Sequence, residues 1–226
     1  MFDSIAGDYD APNHILSLDA DKIWRKKALK QIVDAPAPVQ VLDLACGTGD
    51  FSIAIAKALS SATGSHVTGV DLSEGMLAVM REKVAKADLT EMISIEEGDG
   101  ENLRFPDNTF DRVTIAFGIR NFENREKGLR EMLRVLKPGG RLVILELSRP
   151  ENKVIRWFYD LYFLHILPKI GGKVSGDKAA YAYLPASVAA FPGKKAFMAT
   201  MREAGFRTVT HKAFTFGICR MYTGEK

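Results

Sequence analysis

Short apolar segments alternate with segments of helical periodicity along the first two thirds of this chain of 226 residues. Apolar runs of strand length predict buried strands over 39–44, 66–72, 93–99, 110–117 and 141–147. Apolar residues at helical spacing predict helices over 24–33, 51–59, 74–87 and 125–136. The tetrapeptide KPGG at 137–140 predicts a turn before the last strand. This order specifies an α/β fold with a parallel sheet, helices on both faces and ligands beyond the carboxyl ends of the strands.

The alternation stops over residues 150–190, where an aromatic helix is predicted at 157–167. An insertion of this length between core elements is typical of a lid or a substrate pocket. A helix over 195–204 follows, and then two strands, 206–216 and 217–222, lie close enough in sequence to pair. The sheet is therefore expected to include an antiparallel pair.

Composition excludes several classes of protein. With 46% hydrophobic and 26% charged residues, the chain is of ordinary globular type, and its length favours one domain. The two cysteines, Cys46 and Cys219, lack the spacing of a disulfide framework or a metal site, so no zinc or other metal is expected. The first ten residues are acidic, and no window approaches the roughly 18 apolar residues of a spanning helix. We therefore expect a cytoplasmic protein.

The segment VLDLACGTGDF leads a strand through Gly47 and Gly49 into a helix. Glycines at such a turn let the backbone approach a ligand closely. A dinucleotide pyrophosphate favours a helix N-terminus without negative side chains, whereas here Asp43 precedes the loop and Asp50 opens the helix. Ser52 stands where a dinucleotide motif has its third glycine. The acids would repel phosphate and suit S-adenosylmethionine (SAM), which carries a sulfonium and an ammonium group.

Two further acids follow later strands. Asp71, at the end of the second strand, is placed to accept hydrogen bonds from both hydroxyls of a ribose. Asp99 ends the third strand, where its carboxylate would take the adenine amino group beside the backbone of Gly100. The alternative is that Asp43, Asp71 and Asp99 are helix caps or turn formers. Their occurrence at three successive strand ends favours the ligand role.

Six sequence blocks and one strand-end acid carry a resemblance to a known family. They are FDSIAGDYDAPNHILSLDADKIWR (2–25), VLDLACGTGD (41–50), Asp71, FPDNTFDRVTIAFGIRNF (105–122), RVLKPGGRLVILELSRP (134–150), AYAYLPASV (180–188) and AGF (204–206). In these blocks the chain resembles the ubiquinone/menaquinone biosynthesis C-methyltransferases, which are class I SAM-dependent methyltransferases. The resemblance covers nearly the whole chain.

The resemblance implies a Rossmann-like fold in which a seven-stranded, mostly parallel sheet has helices on both faces and an antiparallel C-terminal strand. It also implies a single methyltransferase domain over residues 1–226. Its parts would be an N-terminal helical cap, a SAM-binding half, a helical lid or substrate insertion, and a C-terminal helix with a strand pair. Their bounds are 1–35, 36–149, 150–190 and 191–226.

The cofactor site that follows combines the loop, the strand-end residues and the family pattern. Carried over by resemblance, SAM contacts fall on Thr48, Asp71, Asp99 and Gly100. The full predicted set is Asp43, Gly47, Thr48, Gly49, Asp71, Leu72, Asp99, Gly100 and Ala116. Two residues depart from the family pattern: Ala116 stands where a serine is common, and Asp19 stands where a glycine is usual.

The activity implied by the resemblance is transfer of a methyl group from SAM to a ring carbon of a prenylated hydroquinone. The acceptor would be a demethylmenaquinol, or the benzoquinol precursor of ubiquinone. Three alternatives remain: a SAM-dependent methyltransferase acting on another small apolar acceptor, a dehydrogenase, and a non-catalytic SAM-binding protein. Intact loop glycines and the presence of Asp71 count against the last of these.

Arg120 and Asn121 follow the fourth strand on the rim that carries the strand-end acids, where they are expected to stabilise a developing phenolate. Arginine is a poor base, so the role expected for Arg120 is electrostatic. The alternative is a surface arginine paired with Glu123 or Glu126.

Tyr9 is a third predicted catalytic residue, expected to close over SAM or to hydrogen-bond the quinol. Candidate bases for the ring proton are Asp8, Asp10 and His165. Each also has a structural interpretation, as a cap or turn former for the acids and as a buried histidine in the aromatic helix.

The aromatic helix at 157–167 is apolar nearly all round, which is typical of core packing or of contact with a greasy substrate or lipid. Basic residues flank it at Arg156, Lys169, Lys173 and Lys178. This favours a lid that touches an anionic membrane surface transiently, as part of a protein peripheral to the membrane. The cations of the C-terminal part are scattered, so no nucleic-acid partner is predicted. Whether the chain forms a homodimer is left open.

Overall fold

The computed structural model describes residues 19–162 and 178–226. The helices in these ranges are α1 (Ala20–Ile32), α2 (Asp50–Leu59), α3 (Glu74–Lys86), α4 (Arg125–Val135), α5 (Lys153–Leu161), α6 (Lys178–Ala190) and α7 (Lys194–Glu203). The strands are β1 (Gln40–Leu44), β2 (His66–Asp71), β3 (Ile93–Glu97), β4 (Phe110–Ala116), β5 (Leu136–Leu147), β6 (Arg207–Phe214) and β7 (Cys219–Glu225). The predicted strands and helices of the alternating part are confirmed to within a few residues.

All seven strands belong to one sheet in the order β3-β2-β1-β4-β5-β7-β6. The strands from β3 to β5 are parallel neighbours, whereas β7 runs antiparallel to both β5 and β6. The outer strands of the sheet are therefore β3 and β6. The predicted mostly parallel sheet with an antiparallel C-terminal strand is confirmed.

The centre of the sheet is buried on both faces, which explains its almost continuous apolar strands. In β1, Leu42 and Leu44 pack into the hydrophobic cluster on one face, and Val41 packs into the cluster on the other. In β7, Tyr222 likewise packs into the cluster of Leu42 and Leu44, and Met221 packs into the cluster of Val41. Asp43 is the charged residue within this buried part of β1. Its carboxylate therefore needs a specific partner.

The predicted turn at 137–140 is wrong. Strand β5 runs through it, because the ladder between β4 and β5 exists on both sides of the tetrapeptide. Phe110 pairs with Leu136 and Arg112 pairs with Arg141, so the extra residues of β5 form a bulge. Gly139 has φ 77°, a left-handed conformation that favours glycine and allows this bulge.

The ends of two helices are set by capping side chains. Ser73 caps α3, because its side chain accepts a hydrogen bond from the backbone N–H of Met76. Asn152 caps α5 through the N–H groups of Val154 and Ile155, so this helix begins earlier than the predicted residue 157. The rest of the predicted aromatic helix, from residue 163, lies outside the described residues. Across the described ranges, none of the helices has the length and apolar character needed to cross a membrane.

Candidate ligand site at the carboxyl edge of the sheet

A cavity of about 740 Å³ lies at the carboxyl ends of the central strands. This volume falls within the range of about 300–1,000 Å³ that small-molecule sites occupy. Most of the residues predicted for the cofactor and the acceptor line it. They are Asp43, Gly47, Thr48, Asp71, Leu72, Asp99, Gly100, Ala116, Arg120 and Asn121. The other two predicted site residues differ, because Gly49 does not line this cavity and Tyr9 lies outside the described residues.

The two loop glycines have different roles. Both adopt left-handed backbone conformations, with φ 56° at Gly47 and 85° at Gly49. A Cβ atom on Gly47 would meet no atom within 4 Å, so this residue presents bare backbone to the open cavity. A Cβ atom on Gly49 would clash with the side chain of Met80 on α3. Gly47 thus allows a ligand to approach, and Gly49 allows two helices to pack.

Asp71 ties the glycine loop to the end of β2. Its Oδ2 accepts a hydrogen bond from the backbone N–H of Gly47 at 2.8 Å, and its Oδ1 accepts one from Ser73 N–H at 2.9 Å. The Asp71 carboxylate therefore orders the glycine loop, and it lines the cavity.

Asp43 lies at the floor of the cavity with 1% exposure. Its Oδ2 accepts a hydrogen bond from Ser52 Oγ at 2.6 Å. Burial raises the pKa of Asp43 to about 7, although the Ser52 hydroxyl and the positive charge of Arg25 act in the opposite direction. Ser52, which replaces the third glycine of a dinucleotide motif, is thus the polar partner of this acid.

Asp50 was expected to repel phosphate through an uncompensated negative charge, and this part of the prediction is wrong. Asp50 forms ion pairs with Lys83 Nζ at 2.7 Å and with Arg25 at 3.4 Å, which compensate its charge. Lys83 also donates to Thr48 Oγ1 at 3.1 Å. The lining as a whole is nevertheless acidic, because it includes seven Asp and Glu residues and two arginines. The acids are Asp21, Asp43, Asp50, Asp71, Asp99, Glu101 and Glu123.

Asp99 and Gly100 form the edge of the cavity beyond β3. The exposed carboxylate of Asp99 accepts a hydrogen bond from Glu101 N–H at 2.8 Å, so it is also a turn former, as the alternative interpretation held. A Cβ atom on Gly100 would lie 2.6 Å from the Phe122 ring, and one on Gly128 would lie 2.5 Å from the same ring. Phe122 is thus held between two glycines, and it lines the cavity.

Arg120 lines the cavity but is buried, contrary to the expectation of an exposed rim residue. Its guanidinium forms an ion pair with the fully buried Glu146 of β5 at 2.7 Å and donates to the carbonyl of Phe117. The backbone N–H of Arg120 donates to the other oxygen of Glu146 at 3.1 Å. The alternative partners, Glu123 and Glu126, are therefore wrong as well. The cause is the 3-10 turn at Ile119–Asn121, which directs the Arg120 side chain inward.

Sequence reasoning missed Glu146 and Trp24 as residues of the site. An acid within the apolar strand sequence RLVILEL was the available signal for Glu146, because a buried carboxylate requires a cation. Trp24 of α1 lines the cavity and donates from Nε1 to Thr215 Oγ1 at 2.9 Å, across 191 residues of sequence, a contact that no local pattern indicates. Phe158 and Tyr159 of α5 also line the cavity, and both belong to the aromatic helix that was predicted to contact an apolar substrate or to pack in the core.

A seven-stranded sheet of this order with a reversed strand β7, carrying an acid-lined cavity at its carboxyl edge, defines a class I SAM-dependent methyltransferase. The fold is similar to the crystal structure of a SAM-dependent methyltransferase from Aquifex aeolicus, with a TM-score of 0.68 and 20% sequence identity. The similarity covers 98% of this chain and 97% of that one.

The chain belongs to the ubiE/COQ5 methyltransferase family, whose model matches residues 1–226. It is 49% identical to a ubiquinone/menaquinone biosynthesis C-methyltransferase of Geobacter sulfurreducens, over all of this chain and 87% of that protein. It is 45% identical to a demethylmenaquinone methyltransferase of Bacteroides fragilis, over all of this chain and 91% of that protein. The family and the SAM cofactor that the sequence motifs predicted are thereby confirmed, as is SAM-dependent C-methylation in quinone biosynthesis as the class of reaction.

Proposed function

We propose that the protein methylates a ring carbon of a prenylated hydroquinone, a demethylmenaquinol or the benzoquinol precursor of ubiquinone. The observation that carries the proposal is that acidic and aromatic side chains line one and the same cavity. The acidic side chains suit the cationic cofactor, and the aromatic side chains suit an apolar ring. The names of the relatives support the same class of acceptor.

The acidic and glycine residues of the lining fit SAM. In this proposal Asp71 accepts hydrogen bonds from the ribose hydroxyls, and Asp99 with Gly100 holds the adenine ring; all three residues line the cavity. Asp43 lies on the floor, where a carboxylate attracts an ammonium group, and the bare backbone of Gly47 leaves room for the ligand. Thr48, Leu72 and Ala116 complete the lining. Bound SAM supplies an activated methyl group on a sulfonium.

For the transfer, the protein must raise the electron density of the acceptor ring and hold its carbon in line with the methyl group. Asn121 lines the cavity and offers an amide that suits a phenol oxygen. Arg120 also lines the cavity, and Glu146 both holds its guanidinium in position and compensates its charge. Tyr159 is excluded as the base near neutral pH, since burial raises the pKa of its phenol. The candidate bases Asp8, Asp10 and His165 lie outside the described residues.

The direct test is methyl transfer from labelled SAM to short-chain demethylmenaquinol, to a methoxy-benzoquinol, and to a non-aromatic thiol as control. We expect labelled product with at least one quinol and none with the thiol. Turnover should require the reduced quinol, because the oxidised quinone lacks the phenol whose deprotonation activates the ring. Absence of product with both quinols, in a preparation that binds SAM, would overturn the proposed acceptor.

The membrane is the second proposed partner. Four apolar side chains of α5 occupy one helical face and are between 40% and 65% exposed. They are Val154, Trp157, Phe158 and Leu161. Phe158 lies on this face and also lines the cavity. The exposed Lys153 precedes Val154 at the start of α5. A prenylated acceptor resides in lipid, so an apolar face at the cavity mouth is where it would be transferred. Lys169 and Lys173 of the predicted basic flank lie outside the described residues.

Sedimentation with vesicles tests this partner. We expect the protein to sediment with anionic vesicles more than with zwitterionic ones, since each interfacial cation contributes about 1 kcal/mol. The double variant Trp157→Ser/Phe158→Ser should sediment less, whereas Ile23→Ser, which removes an exposed apolar side chain from α1, should not differ from the wild type. Equal sedimentation of all three proteins would contradict the assignment of the α5 face.

A further inference from the structure

Helix α6 contacts the Ile119–Asn121 turn through two polar side chains. Tyr183 donates from its hydroxyl to Asn121 Oδ1 at 2.9 Å. Ser187, one helical turn further along α6, accepts from Arg120 Nε at 3.3 Å. The C-terminal part of the predicted lid segment (150–190) is therefore hydrogen-bonded to both predicted acceptor-binding residues, Arg120 and Asn121, which line the cavity.

The Tyr183 hydrogen bond fixes the orientation of the Asn121 amide. The terminal carbon of an asparagine side chain carries a carbonyl oxygen and an NH₂ group, which point in different directions. Because Tyr183 occupies the oxygen, the group that Asn121 presents elsewhere is its NH₂. Asn121 lines the cavity, whereas Tyr183 does not. The amide thus reaches the cavity as a hydrogen-bond donor.

We propose that Tyr183 is a positioning residue, which holds the NH₂ group of Asn121 toward the quinol oxygen next to the methylated ring carbon. This inference rests on the proposed function, because it names the acceptor atom of the same site. A donor fixed at that oxygen stabilises the phenolate more than the phenol, so it lowers the pKa of the bound quinol. Deprotonation raises the electron density of the ring carbon that receives the methyl group.

The position of Tyr183 makes this role testable without loss of the fold. Its side chain is 37% exposed, so replacement by phenylalanine keeps the ring and removes a hydroxyl outside the core. Tyr222 supplies the matched control, because it is fully buried and does not line the cavity. Within the described part of the chain, its hydroxyl has no hydrogen-bond partner. The same Tyr→Phe change can therefore be made at Tyr183, which is hydrogen-bonded to Asn121, and at Tyr222, which is not.

The experiment compares wild type, Tyr183→Phe, Asn121→Ala, the double variant and Tyr222→Phe. Four quantities are measured: the Kd of SAM by calorimetry, kcat and KM with the quinol, and the pH dependence of kcat. We expect Tyr183→Phe to lower kcat about tenfold, less than the roughly 10²–10³-fold loss on removing a donor itself. The Kd of SAM should stay at the wild-type value. The pH at which kcat reaches half its maximum should rise, because the bound phenol then loses its proton less readily.

The double variant separates positioning from simple destabilisation. If Tyr183 acts through Asn121, then Tyr183→Phe has no further effect once Asn121 is alanine. Additive losses, an unshifted pH profile, or a kcat of Tyr183→Phe equal to those of wild type and Tyr222→Phe would overturn the inference while the function stands. A wild-type enzyme that binds SAM but methylates neither quinol would instead overturn the proposed function, and with it the acceptor oxygen named here.

Discussion

A carboxylate buried at the floor of the cavity makes stability depend on pH. Burial raises the pKa of Asp43 to about 7, above the value of about 4 in an unfolded chain. Between these values the folded protein binds more protons than the unfolded one. The free energy of unfolding therefore falls as pH rises from about 4 to 7, at up to about 1.4 kcal/mol per pH unit from this group.

The variant Asp43→Asn isolates this contribution, because the amide oxygen can still accept the hydrogen bond of Ser52. Urea unfolding at pH 5 and at pH 7.5 measures it in both proteins. We expect the free energy of unfolding of the wild type to decrease more between the two pH values than that of the variant. An equal decrease would mean that Asp43 is charged at both pH values in the folded state.

A second prediction at this scale concerns the packing of Phe122 between Gly100 and Gly128. Gly128→Ala puts a methyl group 2.5 Å from the ring and forces the ring toward the cavity that it lines. Alanine favours a helix by about 1 kcal/mol over glycine, but overpacking costs about 1–3 kcal/mol. We expect at least a tenfold loss of SAM affinity, measured by calorimetry. Gly193→Ala is the control, because a Cβ atom there meets nothing within 4 Å and SAM affinity should not change.

At the scale of elements, the Glu146–Arg120 pair joins β5 to the Ile119–Asn121 turn. Glu146→Gln leaves a buried guanidinium without its counter-charge, which costs about 3–5 kcal/mol of unfolding free energy. Glu82→Gln removes one partner of an exposed ion pair with Lys86 and should cost less than about 1 kcal/mol. Urea unfolding of both variants makes the comparison. If both variants lost only a little unfolding free energy, the result would show that solvent compensates the charge of Arg120.

Elements near the site differ in how far local sequence predicts them. The strand-end acids Asp71 and Asp99 were predictable because short apolar strands are visible in sequence and parallel strands end at one edge. The burial of Arg120 was not predictable from local sequence, because its partner Glu146 is 26 residues away on a neighbouring strand. The bulge in β5 was read as a turn, because proline and glycine mark both and only strand pairing distinguishes them.

At the scale of the whole molecule, the cavity is lined by residues from α1 to the segment before β7, so a ligand there contacts distant parts of the chain. SAM at 100 times its Kd should stabilise the folded state by about 2.7 kcal/mol. For a chain of this size, Tm should then rise by about 5–10 °C.

The variant Asp71→Ala should require more SAM than the wild type for the same rise in Tm. NAD should give none, because the acidic lining of the cavity disfavours a pyrophosphate; a shift with NAD alone would contradict the cofactor assignment.

The outer strands of the sheet carry opposite charges. Strand β3 exposes Glu96 and Glu97, and strand β6 exposes Arg207 and Lys212. Charged side chains on outer strands oppose uncontrolled pairing between molecules. Two copies that joined β3 to β3, or β6 to β6, would place like charges side by side. Joining β3 to β6 would match the charges but propagate without closure, as an open filament. Salt would weaken the repulsion that opposes pairing at these edges.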